Sequence, residues 1–167
     1  RLVNQKDPVS VIKSIKSLQA IGIPIRLKII GDGELKSVVE NYISKYHLNN
    51  IELLGKISHS NVINEYAKAH ILIAPSREEA MSLSIMEAIS CGVYVFATET
   101  NGNRGVIVNS VDGDFVLYNN AHEITQKVKG ATAGELVITE GALYPLLHKL
   151  ESEGVLEVEV ENIGNRV

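Results

Sequence analysis

The sequence predicts an α/β fold, a doubly wound parallel sheet with a short helix-plus-strand tail. Two observations carry this. Short apolar runs of strand length alternate with segments of helical periodicity from residue 7 to residue 117. The runs are joined through helix-length segments rather than tight hairpin turns. Repeated strand–helix units of this kind give parallel strands with right-handed crossovers.

The elements follow in order. Asp7-Pro8 opens the first helix, with Pro at an early helical position. Its apolar stripe is Val11, Ile12, Ile15, Leu18 and Ile21, and Gly22 ends it. The run Ile25-Arg26-Leu27-Lys28-Ile29-Ile30 is a strand ending at Gly31. Residues 34–46 read as a helix with Leu35, Val38, Val39, Tyr42, Ile43 and Tyr46 on one side. A short strand at 51–54 and a helix at 60–68 come next, with Val62, Ile63 and Tyr66 inward. A strand at 70–74, a helix at about 83–91 and a strand at 93–97 continue the alternation. Phe115-Val116-Leu117 is a last short strand after the Asp112-Gly113 turn.

Composition sets the bounds. The 167 residues suit one domain with an appendage, and 45% hydrophobic with 22% charged content is ordinary for a globular chain. A net charge of −4 gives no global basic field for nucleic acid. The single cysteine, Cys91, forms no internal disulfide. His47, His59, His70, His122 and His148 share no metal-ligand spacing, so no metal site is expected. No apolar run is long enough to span a bilayer, and no signal peptide is visible. The expected location is cytoplasmic.

The segment with most chemistry is Glu79-Ala80-Met81-Ser82-Leu83-Ser84-Ile85-Met86-Glu87, two carboxylates separated by seven residues. It follows the strand Ile71-Leu72-Ile73-Ala74 and leads into a helix that ends at Cys91-Gly92. Ligands of open α/β sheets bind at the carboxyl ends of strands, where helix amino termini point at them. Glu79 then lies in a strand-to-helix loop and Glu87 about one turn into the helix.

This segment resembles the hallmark of the group 1 retaining glycosyltransferases of the two-Rossmann-domain (GT-B) type: Glu79, Glu87, Ala88 and Gly92 match it. Other motifs fall in the same order. Arg1-Leu2 with Lys6 resembles the family's Arg-Leu…Lys loop, Gly31-Asp32-Gly33 its Gly-Asp-Gly turn, Leu54-Gly55-Lys56-Ile57 its Leu-Gly-x-Val segment, and Asn101-Gly102-Asn103 its Gly-rich loop. The resemblance covers about residues 1–128 and implies a Rossmann-like donor-binding domain at 1–129. Three positions depart from the pattern: Ala80 where Gly is usual, Tyr94 where Pro is usual, and Gly105 where an acidic residue is usual. The family's loop at Arg1 follows a first, central strand, and this sequence begins after that strand.

The resemblance implies a substrate and roles. The donor would be a UDP-, GDP- or ADP-sugar, bound without a metal, and the reaction would be hexosyl transfer with retention of configuration. Glu79, in the catalytic position, would contact sugar hydroxyls, because a carboxylate repels phosphate. Glu87 would accept from the ribose hydroxyls. Arg1 and Lys6 would hold the diphosphate, together with amides around Met81, Ser82 and Leu83. Lys56 and Ile57 would lie near the base. The acceptor, a glycan or lipid, would come through an N-terminal domain absent from this sequence, and peripheral membrane association is expected of the full-length enzyme. The chain alone would transfer little or nothing.

Each reading has a plainer counterpart. Ser84-Ile85-Met86-Glu87 is also a capping-box pattern. Glu79 is otherwise a solvated loop charge, Arg1 and Lys6 surface cations, and Gly31-Asp32-Gly33 simply a turn, the reading preferred for that motif.

The tail differs. Residues 131–167 hold seven Glu against Lys149 and Arg166. Within it, 134–154 is similar to the recognition-helix region of PadR-type winged-helix repressors, and Val155 to Glu161 resembles a wing strand. The chain therefore reads as two joined pieces, 1–129 and 130–167. A non-catalytic chimera or scaffold, or a fragment of a DNA-binding regulator, stands as the alternative to donor binding. Sequence-specific DNA binding is not expected, since the tail is acidic and phosphate contacts need Lys and Arg.

Overall fold

The computed structural model describes residues 1–109 and 111–132. The PadR-like segment at 134–161 lies outside them.

Among the described residues, five strands alternate with six α-helices. Helix α1 (Pro8–Ala20) precedes β1 (Leu27–Ile30), α2 (Lys36–Lys45), β2 (Ile51–Gly55) and α3 (His59–Tyr66). Then come β3 (Ile71–Ala74), α4 (Leu83–Ser90), β4 (Tyr94–Thr98), α5 (Asn101–Arg104), β5 (Gly113–Val116) and α6 (Ala121–Thr132). These strands pair in parallel: Leu27 lies opposite Ile51, Ile71 opposite Tyr94, and Val95 opposite Gly113.

The strands form two sheets, β1–β2 and β3–β4–β5. Among the described residues no strand pairs with the inner edges of β1 and β3. The expected single sheet is therefore split between β1 and β3. The two parts still share one core. Ile15 and Leu18 of α1 and Ile124 and Val128 of α6 pack with Tyr94, Phe96 and Val116, and Leu27, Ile51, Ile71 and Ile73 close onto that cluster from both sheets.

Side-chain alternation makes the winding double. Tyr94 and Phe96 face α1 and α6, whereas Val95 and Ala97 face Ile85 and Ala88 of α4 and Tyr66 of α3. Strand β4 is buried along its whole length, which only a central strand covered on both faces can be. A third cluster seats α2 through Val39 against Leu2, Ile12 and Leu48.

Three elements depart from the sequence expectation. Strand β5 takes in Gly113, read as a turn residue, and leaves Leu117 outside it and 64% exposed. The Asn101-Gly102-Asn103 loop is a single helical turn, capped by Thr100, whose hydroxyl accepts from the Asn103 amide at 3.2 Å. Helix α6 is not among the expected elements. Its signal is nonetheless present: Asn120 accepts from the Glu123 amide at 3.0 Å, and Ile124 and Val128 stand one turn apart. Its described residues reach Thr132, past the composition shift near Lys129.

Candidate functional site

The crevice is built on the segment 1–6, which bridges the loops after β1 and β3. At the β1 side the Leu2 amide donates to the Asp32 carbonyl at 2.9 Å, and the Leu35 amide donates to the Leu2 carbonyl at 3.0 Å. Gly33 permits this approach, since a Cβ there would lie 2.3 Å from the Leu2 carbonyl oxygen. The Asp32 carboxylate accepts from the Gly33 amide at 2.8 Å. This motif is thus a turn that clamps Arg1-Leu2, in line with the plainer of its two readings.

At the β3 side three successive contacts dock the loop that carries Glu79. The Arg77 amide donates to the Gln5 carbonyl at 2.7 Å, and Gln5 Nε2 donates to the Glu78 carbonyl at 2.9 Å. Lys6 Nζ then donates to both carboxylate oxygens of Glu79, at 2.8 and 2.6 Å. The side chains are 29% exposed for Lys6 and 13% for Glu79, so the pair sits at the crevice rim rather than in bulk solvent.

Two further elements fix this loop from below. The Thr98 hydroxyl, at the end of β4, donates to the Ser76 carbonyl. The Gly102 amide donates to the Glu79 carbonyl at 3.1 Å. A Cβ on Gly102 would fall 2.5 Å from the Glu79 and Ala80 carbonyl oxygens, so only glycine lets α5 support the loop at this distance. Ala80 itself has no positive φ, and its methyl introduces no backbone strain.

Helix α4 starts at Leu83 with Ser82 as its N-cap residue. That start places Glu87 at the fifth helical position, beyond the box position that a capping role requires. Instead its carboxylate lies 3.7 Å from His59 Nδ1, at the start of α3. Glu87 therefore looks toward the loop after β2, where Lys56 is exposed and Ile57 half-buried. Tyr66 packs nearby; burial, with Glu87 and Cys91 adding to it, pushes its hydroxyl up to about 12.

Not every candidate residue points into the crevice. The Ser82 side chain is buried and its hydroxyl shares a hydrogen bond with Ser84 at 3.1 Å, so it is already engaged within the protein. Met81 and Leu83 are the opposite case, 65% and 63% exposed beside the amino end of α4. The first amides of this helix have no partner within it, and its dipole favours an anion there.

Sequence reasoning missed the supports. Asp7 caps α1 by accepting from the Ser10 amide at 3.2 Å, and its other oxygen accepts from the Asn119 amide at 3.1 Å. The Asp7-Pro8 signal carried the first bond but not the second, which spans the chain. Gln5 and Thr98 left no local signal, because their partners are distant in sequence.

The family profile described as "Glycosyl transferases group 1" matches residues 1–138. A second profile, "Transcriptional regulator PadR-like family", matches residues 118–166 and overlaps the first. An uncharacterized glycosyltransferase of Methanocaldococcus jannaschii is 32% identical over 126 residues, 75% of this chain and 34% of that protein. The gpi3 component of the phosphatidylinositol N-acetylglucosaminyltransferase of Schizosaccharomyces pombe is 37% identical over 79 residues, 47% of this chain and 17% of that protein. The chain thus spans at most about a third of these two curated relatives. Among solved structures, Anabaena HepE in complex with UDP and glucose superposes with a TM-score of 0.74 at 18% identity, over 90% of this chain and 42% of that one. The C-terminal domain of a group 1 glycosyl transferase from Francisella tularensis also gives 0.74, at 19% identity, over 94% of this chain and 84% of that domain. The fold is that of the C-terminal, Rossmann-like half of GT-B enzymes, and the chain belongs to the group 1 glycosyl transferase family.

Proposed function

We propose that this chain binds a nucleotide-sugar donor as the C-terminal half of a retaining hexosyltransferase. The observation that carries the reading is the Lys6–Glu79 pair at the carboxyl ends of parallel strands, beside the amino end of α4. A diphosphate needs cations and amide donors, and a sugar needs a carboxylate acceptor; here they are adjacent.

The roles follow from charge. As the glycosidic bond breaks, negative charge grows on the leaving phosphate. Lys6, Arg1 and the amides of 81–83 would stabilise it. Glu79 takes the sugar hydroxyls. Glu87 accepts from the ribose, with Lys56 and Ile57 at the base and the exposed faces of Met81 and Leu83 covering the nucleotide. The donor-binding unit corresponds to residues 1–129, carried by α6 to Thr132, and 130–167 is an appended PadR-like segment. Support comes from family membership and from the named relatives that transfer N-acetylglucosamine or hold UDP with glucose. The acceptor, a glycan or lipid, would be bound by a separate domain, and transfer would require that domain. No helix among the described residues is long and apolar enough to cross a membrane; membrane association of the whole enzyme would be peripheral, on the cytoplasmic side.

Calorimetry with UDP, GDP, ADP and their sugars tests this. One nucleotide series is expected to bind the folded chain. Failure of every member at millimolar concentration overturns the reading.

A further inference from the structure

The cation and the carboxylate of this crevice are paired with each other. Lys6 gives two short hydrogen bonds to Glu79, and the carboxylate is the more buried partner. Any ligand that recruits Lys6 must supply something to Glu79 in return, because a largely buried carboxylate stripped of its cation is costly. A bare nucleoside diphosphate supplies nothing: it takes the ammonium and adds negative charge beside the carboxylate. A donor carries sugar hydroxyls that donate to Glu79 while its phosphates hold Lys6.

Resting on the donor-binding reading above, we infer that Glu79 is a specificity-determining residue that discriminates the sugar-bearing donor from the bare nucleoside diphosphate by competing for Lys6. The Lys6–Glu79 bond re-forms when sugar is gone, so it weakens the hold on the diphosphate product. The hydrogen bonds from Gly102 and Thr98 to this loop hold its backbone where the carboxylate reaches Lys6.

The test is calorimetry of the full chain and its Glu79→Gln variant with UDP, GDP and ADP and with the corresponding sugar donors. Glu79→Gln keeps the side chain's size and frees Lys6. It should bind the diphosphate about tenfold more tightly, while donor affinity stays level or falls. In a Lys6→Gln background the same change should bring no gain, since no cation is left to release. Glu79→Asp, which shortens the reach to Lys6, provides a milder variant with a smaller gain in the same direction. Wild-type binding with no gain in folded Glu79→Gln, or a gain that persists without Lys6, overturns the inference and leaves the donor-binding reading standing. No nucleotide bound by any variant removes that reading and the inference with it.

Discussion

Glu87 and Glu79 show how similar carboxylates close in sequence acquire different neighbours. Glu79 is held by Lys6 in a loop backed by glycine, whereas Glu87 sits on a helix and meets His59, 3.7 Å away, on a side chain that is 71% exposed. An exposed His is a weak partner, so Glu87 remains available to accept from hydroxyls. Losing a charged hydrogen bond costs about 1.5–3 kcal/mol, and Glu87→Ala should weaken nucleoside diphosphate binding roughly ten- to a hundredfold. Calorimetry of this variant, with circular dichroism to verify its fold, checks the figure. Affinity equal to wild type would remove Glu87 from the site. The carboxylate pair was legible in the sequence because its spacing is local. The partners were not: Lys6 and Glu79 are 73 residues apart, and only the folded chain brings them together.

The secondary structure was legible wherever the apolar pattern was strong. The apolar runs of β3 and β4 gave their elements, and the stripe of α1 gave its buried face at Val11, Ile12, Ile15 and Leu18 but not at Ile21, which caps the helix and is 57% exposed. A strand covered on both sides is apolar throughout, and a helix on a core is apolar every third or fourth residue. Helix α6 escaped because its short apolar stripe lies beside the composition shift, although Asn120 and Glu123 mark its start. The α3–α4 face carries a pH dependence. Buried Tyr66 has its pKa raised from 10.0 to about 12, chiefly by burial, so the fold favours the neutral phenol. The unfolded chain releases this proton first, so the stability from this group is full below pH 10 and is lost as the pH rises toward 12. Tyr94 is raised as well, by burial and then Asp114, and acts in the same direction. Melting temperatures should fall across this alkaline window, and Tyr66→Phe should remove part of the fall. A variant that loses stability as steeply as wild type would contradict this assignment.

Across the whole molecule, the sheet is divided between β1 and β3 over a shared hydrophobic core. The Lys28–Glu65 ion pair adds a surface tie from β1 to α3. The segment 1–6 adds another, holding the Gly31–Gly33 turn at one end and the Glu79 loop at the other. The crevice is therefore assembled across the division, with Arg1 and Lys6 as its seam. The division was not legible in the sequence, whose alternating strands and helices predict a single doubly wound sheet. Nor was it legible that α1 and α6 would hold the two sheets on one core, since their contacts with both sheets are long-range. The central claim is that this crevice takes a nucleotide-sugar across that seam. A crystal structure of the chain with the nucleoside diphosphate or donor it binds tests the claim most directly. The phosphates should lie between Lys6 and the amino end of α4, the ribose on Glu87, and the sugar of the donor on Glu79 with the Lys6–Glu79 bond opened. A nucleotide lying away from the carboxyl ends of the strands, or bound with Glu87 pointing elsewhere and the Lys6–Glu79 pair undisturbed, would contradict it.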